Sequence, residues 1–293
     1  MNVQVVTAEA ARQLFATSSA GAGLGHAEDS ITLVLARDGV PAGVLQLERL
    51  AFDSELFGEP VARMNVLTAE SEADYAALLA ACQTECRLRG VRHVVRRLPV
   101  GQFAETWGLG GAGYRLVDVS VLFERDAAAA ASSAVALTNR IRLVEPAEAE
   151  RLAARFADAF TLTRFAVDPF VSVAAATELH RRWILNSCRG RADAVLVADV
   201  GGELCGFVTC RVDETTATGS IELVAVDAAQ RGAGIGRGLV DAALSWFADR
   251  VERVQVRTQL NNAIAIGLYQ ASGFRLELGE LTYAWMDETE GAR

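Results

Sequence analysis

Hydrophobic residues recur along the chain at two spacings, which predict strands and helices in alternation. In the first half, two short apolar runs flank Asp38-Gly39, a dipeptide typical of tight hairpin turns. The predicted elements of this half are the strands Ile31–Ala36, Gly43–Leu47, Val91–Arg96 and Val117–Phe123 and the helix Tyr75–Leu88. The first half therefore has the pattern of a small α/β domain.

The second half repeats this alternation over a longer stretch. Glu145-Pro146 predicts a helix start, because proline suits the first helical turn, and Leu152, Phe156 and Phe160 form its apolar stripe. The predicted strands are Arg140–Val144, Ala194–Asp199, Cys205–Val212, Ser220–Val226, Val251–Thr258 and Phe274–Met286, and the later helices are Gly236–Arg250 and Asn262–Ala271. A turn at Gly201-Gly202 joins two of the strands into a hairpin, so the fold class is α/β (α+β).

Two compositional features indicate how these halves are divided. The low-complexity run Ala127–Ala136 predicts a junction, giving domains at residues 1–136 and 137–293. The halves also echo each other at an offset of 160 residues, since Gly113-Tyr114-Arg115-Leu116 matches Gly273-Phe274-Arg275-Leu276. Residues 70–76 of the first copy contain no glycine where the second copy is glycine-rich. If the halves are duplicates, only the second is expected to keep the chemistry.

Composition narrows the possible partners. Of the 293 residues, 51% are hydrophobic and 22% charged, which describes a protein able to bury a large core. The net charge of −9 argues against nucleic-acid and anionic-membrane partners. Five cysteines without CxxC spacing and three well-separated histidines predict no metal site. The N-terminus has no basic, apolar leader and no long apolar run occurs, so a cytoplasmic location is expected.

The segment Ile221–Leu239 contains the most informative pattern. An apolar strand runs into a loop with Gly232, Gly234 and Gly236, which opens an amphipathic helix. Glycines allow a ligand to approach the backbone, and the unpaired N–H groups of a helix start suit a phosphate. The spacing is neither the dinucleotide fingerprint nor a P-loop. A turn that only packs helix against strand is the alternative.

These residues resemble a known family. The sequence Gln230-Arg231-x-x-Gly234-x-Gly236 is similar to the acetyl-CoA signature of GNAT acyltransferases, although Ala228 stands where that superfamily often has proline. Asn262 follows the next strand, and Tyr269 comes seven residues later, as in the superfamily. The resemblance implies a GNAT fold with a mixed central sheet, preceded by a smaller, degenerate GNAT-like domain, and acetyl-CoA as cosubstrate without a metal.

The resemblance also implies roles for individual residues. Tyr269 would be the general acid that protonates the leaving thiolate, with a core tyrosine as the alternative. Glu222, placed on the strand with Val224 and Val226 as its period-two partners, is a candidate base acting through water, or a solvated side chain. The cofactor would contact Val224, Ala225, Val226, Arg231, Gly232, Ala233, Gly234, Ile235, Gly236, Arg237 and Asn262.

A looser resemblance concerns the acceptor. Residues Phe52–Gly58, Thr163-Arg164-Phe165 and His180-x-x-Trp183-Ile184-x-Asn186 are similar to the dTDP-fucosamine acetyltransferase type, although Phe52–Gly58 also reads as an interdomain turn. This likeness implies N-acetylation of a nucleotide-linked amino-deoxy sugar, with Arg164 and Phe165 meeting the acceptor. Another small amine (aminoglycoside, polyamine or amino acid) and a non-catalytic acyl-CoA sensor remain as alternatives. The first domain would complete the acceptor wall or form a homodimer surface.

Overall fold

The computed structural model describes residues 2–16, 23–25, 30–128 and 140–288. It divides into two compact units. Unit 1 consists of Met1–Val119, Val167–Ser172 and Glu280–Arg293, and unit 2 consists of Ser120–Ala166 and Val173–Gly279. The expected domain boundary after residue 136 lies outside the described residues and stays a prediction.

Unit 1 contains β1 (Asn2–Val6), α1 (Ala8–Leu14), β2 (Ser30–Arg37), β3 (Val40–Arg49), α2 (Ala51–Phe57), β4 (Val61–Ala69), α3 (Glu72–Leu88), β5 (His93–Pro99), α4 (Phe103–Gly111) and residues Glu280–Met286 of the last strand, β12 (Arg275–Met286). Its strands are hydrogen-bonded in the order β1-β2-β3-β4-β5-β12, and among these neighbours β4 and β5 form the parallel pair. The core lies between the sheet and α3, which buries Leu78, Leu79 and Cys82.

Unit 2 has a second six-stranded mixed sheet, in the order β6-β11-β10-β9-β8-β7, in which only β10 and β11 are parallel. Its elements are β6 (Arg115–Asp126), β7 (Ile141–Leu143), α5 (Ala149–Phe156), α6 (Arg164–Val167), α7 (Val173–Asn186), β8 (Ala194–Val200), β9 (Glu203–Asp213), β10 (Thr218–Val226), α8 (Ile235–Phe247), β11 (Arg253–Gln259), α9 (Ala263–Ala271) and β12 (Arg275–Met286). The α/β fold class is therefore confirmed.

The sheet of unit 2 is covered on both faces. Leu239 and Phe247 of α8 and Tyr269 of α9 pack with Val208 and Val254 on one face. The opposite face forms a separate core with α5 and α7, whose members include Phe156, Ile184, Phe207, Leu223 and Ala225. Because both faces are covered, the strands read as nearly continuous apolar runs in the sequence.

The last strand of each half belongs to the sheet of the other unit. Strand β6, from the first half of the sequence, pairs antiparallel with β11. The pairing begins with Ser120 opposite Gln259 and ends with Asp126 opposite Arg253. In β12, Glu280 through Met286 pair with Pro99 through His93 of β5. Each unit therefore contains residues from both sides of the expected boundary, an exchange that no local pattern predicts.

Several elements differ from the sequence-based expectations. The structure adds β1, α1, β4, α4, α6 and α7, which had no assignment. Residues Phe52–Phe57 belong to α2, and Gly58 is its left-handed C-cap (φ +70°), so the alternative that this segment is a turn was wrong. The predicted hairpin turns are confirmed, with positive φ at Asp38, Gly39, Gly201 and Gly202. Within the described part of the chain, no helix is both long and apolar enough to cross a bilayer.

Candidate active site

Strands β10 and β11 of unit 2 pair only at their beginnings. The parallel pairing begins with Thr218 opposite Arg253 and ends with Ile221 opposite Val256. Beyond it, β10 continues to Val226 and β11 to Gln259. Among the described residues, the edge of β10 from Glu222 to Val226 has no strand partner on that side. Backbone N–H and C=O groups along such an edge are available to an extended ligand.

A β-bulge lies where this opening begins. Ile221 is opposite Cys210 and Val224 is opposite Val208, so two residues of β10, Glu222 and Leu223, face the single residue Thr209. The hydroxyl of Thr209 accepts the Leu223 N–H at 2.9 Å, which satisfies a buried amide that the bulge removes from the ladder. The bulge therefore shapes β10 just before the glycine loop.

The same bulge changes the direction of Glu222. Val224 and Val226 pack toward α8, whereas Glu222 forms an ion pair with Arg211 at 3.8 Å on the face that carries Leu223 and Ala225. The expectation that Glu222 shares a face with Val224 and Val226 was wrong, because one extra residue in the strand inverts the two-residue alternation.

The loop between β10 and α8 presents backbone amides. Asp227 caps a short 3₁₀ turn over Ala228–Gln230 by accepting the Ala229 N–H at 2.9 Å. Gly232 (φ +84°) and Gly234 (φ +79°) then adopt left-handed conformations that favour glycine. Gly234 is the N-cap of α8 and offers no side-chain acceptor, so the first amides of α8 lack an intrahelical partner. This arrangement suits a phosphate.

A glycine outside the expected motif lets α8 begin so close to the sheet. Gly206 of β9 lies opposite Val226, and a Cβ there would be 2.8 Å from the carbonyl oxygen of Ala225. The same Cβ would be 3.0 Å from Leu239 Cδ1 and 3.4 Å from Ile235 Cγ2. Sequence reasoning missed Gly206 because it is a single glycine inside a strand, although such a residue often marks a close backbone approach.

The two arginines of the loop region differ in their surroundings. Arg231 is exposed near Asp227, whose pKa is lowered mainly by the Ala229 N–H and by Arg155, with a smaller contribution from the Arg231 charge. Arg237 Nε instead donates to both oxygens of Asp241 at 2.9 Å, and Arg237 Nη1 donates to the carbonyl oxygen of Ala271 at 2.8 Å. The Arg237 guanidinium is thus already occupied by protein groups.

Helix α9 contains the other two residues expected near the cofactor. Asn262 is its N-cap, with Oδ1 accepting the Ala265 N–H at 3.2 Å and Nδ2 donating to Thr258 Oγ1 at 3.2 Å. The ring of Tyr269 is buried between Phe123 and Phe274, with centroids 6.2 and 5.9 Å away. Burial raises the pKa of Tyr269 well above its ordinary value.

Among the described residues, the Tyr269 hydroxyl makes no hydrogen bond. A buried tyrosine hydroxyl usually finds a polar partner, so a ligand that reaches this oxygen could supply one. Tyr269 is therefore a core aromatic residue whose hydroxyl is not engaged by the described part of the protein.

The expected acceptor residues lie in an aromatic cluster of unit 2. Phe165 is buried and packs edge-to-face on His180 and Trp183, and the Arg164 guanidinium lies 3.8 Å from the centre of the Phe165 ring. His180 is buried against Phe160, which lowers the pKa of its imidazole to about 4. Arg164 is the more accessible of the two expected acceptor residues.

Unit 1 contains a counterpart of the opening, filled by its own side chains. Its parallel ladder also has four pairs, from Val61–His93 to Met64–Arg96. At the last pair, Arg96 Nη1 donates to the carbonyl oxygens of Met64 and Asn65 at 3.2 and 2.8 Å, and Arg96 Nε donates to the buried Glu105 at 2.6 Å. Unit 2 has Val256 at the same ladder position.

The helix that follows β4 in unit 1 is also unsuited to phosphate. Its N-cap is Ser71, and its first turn carries Glu72 and Asp74. A cleft of about 240 Å³ elsewhere in unit 1 contains none of the expected site residues. Its two arginines, Arg87 and Arg115, are ion-paired with Asp287 and Glu288. The phosphate-binding geometry is therefore found in unit 2.

Comparison with known proteins agrees with this geometry. The acetyltransferase (GNAT) family model matches residues 157–274, a range that contains the glycine loop and Tyr269. A GCN5-related N-acetyltransferase from Sphaerobacter thermophilus has a similar structure, with a TM-score of 0.64 at 16% identity over 90% of this chain and 82% of that one. The chain has the GNAT fold.

A second solved structure has the same fold over nearly the whole chain. A tandem GNAT protein from the clavulanic acid biosynthesis pathway aligns over 97% of this chain and 98% of its own, with a TM-score of 0.59 and 16% identity. That coverage agrees with a fold repeated in units 1 and 2. Among the described residues, no group of three or more His, Cys, Asp or Glu side chains could hold a metal ion.

The curated relatives match this chain over only part of its length. Spore coat polysaccharide biosynthesis protein SpsD of Bacillus subtilis (strain 168) is 33% identical over 136 residues, which are 45% of this chain and 46% of that protein. Mycothiol acetyltransferase of Kineococcus radiotolerans is 31% identical over 110 residues, or 35% and 36% of the two chains. The chain thus spans less than half the length of the curated relatives it matches.

Proposed function

We propose that the protein is an acetyl-CoA-dependent N-acetyltransferase that transfers the acetyl group directly to a primary amine. The observation that carries this proposal is the opening between β10 and β11 directly before a glycine loop and a helix start whose first amides lack an intrahelical partner. An extended thioester ligand with a diphosphate at one end needs both features in that order. The family match over residues 157–274 supports the same reaction.

Unit 2 supplies the groups for holding acetyl-CoA. Backbone groups of Val224, Ala225 and Val226 would pair with the pantetheine arm, because this edge of β10 has no strand partner among the described residues. The amides of Gly232 and of Gly234 through Arg237 would receive the diphosphate, and exposed Arg231 would add a charge-assisted hydrogen bond. Asn262 would act mainly by fixing the start of α9, since both ends of its amide are engaged.

The reaction needs a base and an acid at the thioester. The amine lone pair attacks the thioester carbonyl carbon, the C–S bond breaks, and the sulfur takes the proton of the Tyr269 hydroxyl. The raised pKa of Tyr269 keeps this proton in place through the neutral range. The nitrogen loses its extra proton to water, and Glu222, which faces the α5–α7 side beside Arg211, can receive it through that water.

We propose a nucleotide-linked amino-deoxy sugar as the acceptor. Arg164 supports this choice, because a guanidinium held on the Phe165 ring is a suitable partner for a diphosphate. Phe165 itself is buried and would act as the support for Arg164. The relation to SpsD, whose name refers to polysaccharide biosynthesis, points toward a sugar acceptor. A cytoplasmic location and a homodimer remain predictions.

A CoA-release assay tests the function. The full chain is incubated with acetyl-CoA and with dTDP- and UDP-linked amino sugars, free amino sugars, polyamines and amino acids. We expect release with the nucleotide sugars. Turnover only with a free amine would contradict the proposed acceptor, and thermal stabilisation by acetyl-CoA without release on any amine would favour the sensor.

A tyrosine variant tests the acid. Tyr269→Phe is expected to lower kcat by about 10²- to 10⁴-fold, the usual contribution of a general acid, with little change in acetyl-CoA affinity. Tyr75→Phe, at a buried tyrosine of unit 1, is the matched control and should leave kcat unchanged. Near-normal turnover of Tyr269→Phe would show that another group protonates the thiolate.

A further inference from the structure

One side chain joins the first turn of α8 to the last turn of α9. Arg237 is the third residue of α8, and its Nη1 donates to the carbonyl oxygen of Ala271 at 2.8 Å. Its Nε donates to both carboxylate oxygens of Asp241, one helical turn further along α8. Asp241 is buried, so this ion pair fixes the plane of the guanidinium.

The end of α9 that receives Arg237 lies next to Tyr269. Ala271 is two residues after Tyr269, and the following carbonyl, that of Ser272, accepts a hydrogen bond from buried Arg125. Two guanidinium groups therefore cap the C-terminal carbonyls of α9, where positive charge is favourable. A nine-residue helix has little stability of its own, so these contacts help to hold its C-terminal end, which Gly273 (φ +83°) closes.

A second contact between the same elements lies on the other side of the arginine. A Cβ at Gly236 would be 3.6 Å from Leu268 Cδ2 and 3.6 Å from Val226 Cγ2. Leu268, the neighbour of Tyr269, thus lies against Gly236 in the first turn of α8, and Val226 at the end of β10 lies against the same glycine. The phosphate-binding turn and the helix of Tyr269 are joined at two adjacent points.

We propose that Arg237 is a positioning residue that holds the Tyr269 hydroxyl at the reacting sulfur, and that its side chain does not bind the diphosphate. The inference rests on the proposed function. Three donor bonds to Asp241 and Ala271 already orient the guanidinium. A shift of α9 by about 1 Å at its C-terminal end would misplace the acid, and misplacement of that size costs on the order of 10²-fold in rate.

The two roles of Arg237 predict opposite kinetic signatures. For a diphosphate ligand, Arg237→Gln raises the Kd of acetyl-CoA, and Arg237→Lys, which keeps the charge, restores much of the affinity. For a positioning residue, both variants lower kcat by about 10- to 100-fold and change the Kd of acetyl-CoA by less than about threefold. Lysine fails because a single ammonium cannot form the planar fork between Asp241 and Ala271.

Asp241→Asn is the decisive companion variant, because it weakens the ion pair and leaves the Arg237 charge free. A positioning role predicts that it lowers kcat, whereas a diphosphate role predicts an equal or lower Kd with unchanged kcat. Arg231→Gln, at the exposed loop arginine, is expected to raise the Kd of acetyl-CoA. Arg89→Gln, which breaks an exposed i, i+4 ion pair with Glu85 in unit 1, is the matched control and is expected to leave kcat unchanged. Thermal unfolding of each variant checks that the chain is folded at the assay temperature.

A double-mutant cycle separates this inference from the proposed function. Kinetics are measured with the amine that gives turnover, for wild type, Tyr269→Phe, Arg237→Gln and the double variant. If Arg237 acts through Tyr269, Arg237→Gln has little further effect on kcat once the hydroxyl is gone. Additive losses overturn the positioning role and leave the acid in place. An unaffected Tyr269→Phe overturns the positioning role together with the assignment of Tyr269 as the acid, whereas an inactive wild type contradicts the proposed function itself.

Discussion

At Gly206 the close packing of α8 on the sheet leaves no room for a side chain. It lies on β9 beneath the first turn of α8, and a methyl group there would approach the carbonyl oxygen of Ala225 to 2.8 Å. That oxygen belongs to a paired strand and has little freedom to move. The contacts at 3.0 Å with Leu239 and 3.4 Å with Ile235 would push α8 away from the sheet.

We predict that Gly206→Ala lowers the free energy of unfolding by about 1–2 kcal/mol. Overpacking of a well-filled core costs about 1–3 kcal/mol, and the gain from replacing a glycine inside a strand offsets about 0.5–1 kcal/mol of it. The unfolding transition that acetyl-CoA stabilises should move down by about 2–4 °C for each kcal/mol. Because the loop amides move with α8, the Kd of acetyl-CoA should rise as well.

Calorimetric unfolding with and without acetyl-CoA measures both effects. Gly110→Ala in α4 is the matched control, since nothing lies within 4 Å of a Cβ there and alanine favours helix. It should leave acetyl-CoA affinity unchanged and unit 1 as stable or more stable. A Gly206→Ala protein with the wild-type melting temperature and affinity would refute the reasoning that close packing of α8 positions the loop.

Three further changes test separate parts of the structure. Thr209→Val leaves the buried Leu223 amide without an acceptor and should cost about 1–3 kcal/mol of unfolding free energy, whereas Thr209→Ser should cost much less. Burial lowers the pKa of His180 to about 4, below its unfolded value of about 6.5, so protonation favours the unfolded chain. Stability should therefore fall between about pH 6.5 and pH 4 by up to about 3 kcal/mol, and urea titrations of His180→Leu should show a flatter dependence over that range. Arg96→Val and Glu105→Ala should each cost about 3–5 kcal/mol, because each leaves a buried charge unpaired, while the double variant should cost far less than their sum. Additive losses would mean that the pair does not act as one unit.

The glycine loop and its surroundings could be predicted from the sequence because they depend on local rules. Gly232 and Gly234 need positive φ, and Asp227 is a helix-capping residue type placed just before the 3₁₀ turn. The short apolar runs of unit 2 also form strands, as their hydrophobic pattern predicts. Such signals extend over fewer than about ten residues, so one sequence is enough to detect them.

The remaining features depend on residues far apart in the chain. The bulge at Glu222 arises from the register against β9, so period-two counting placed this carboxylate on the wrong face. The filled opening in unit 1 depends on Arg96 meeting Glu105 and two carbonyl groups of β4. Burial of Phe165 arises from contacts with α7. Each of these facts is set by strand register or tertiary packing, which hydrophobic patterning does not encode.

Because β6 pairs with β11 and β12 pairs with β5, each half of the sequence depends on a strand from the other half. A fragment beginning at residue 137 would lose Ser120–Asp126 and expose the edge of β11, and its own Glu280–Met286 would have no β5 to join. Bare edges of this kind invite aggregation. A half exchanged by recombination would therefore have to bring a final strand that pairs with β5 or β11 of the other half.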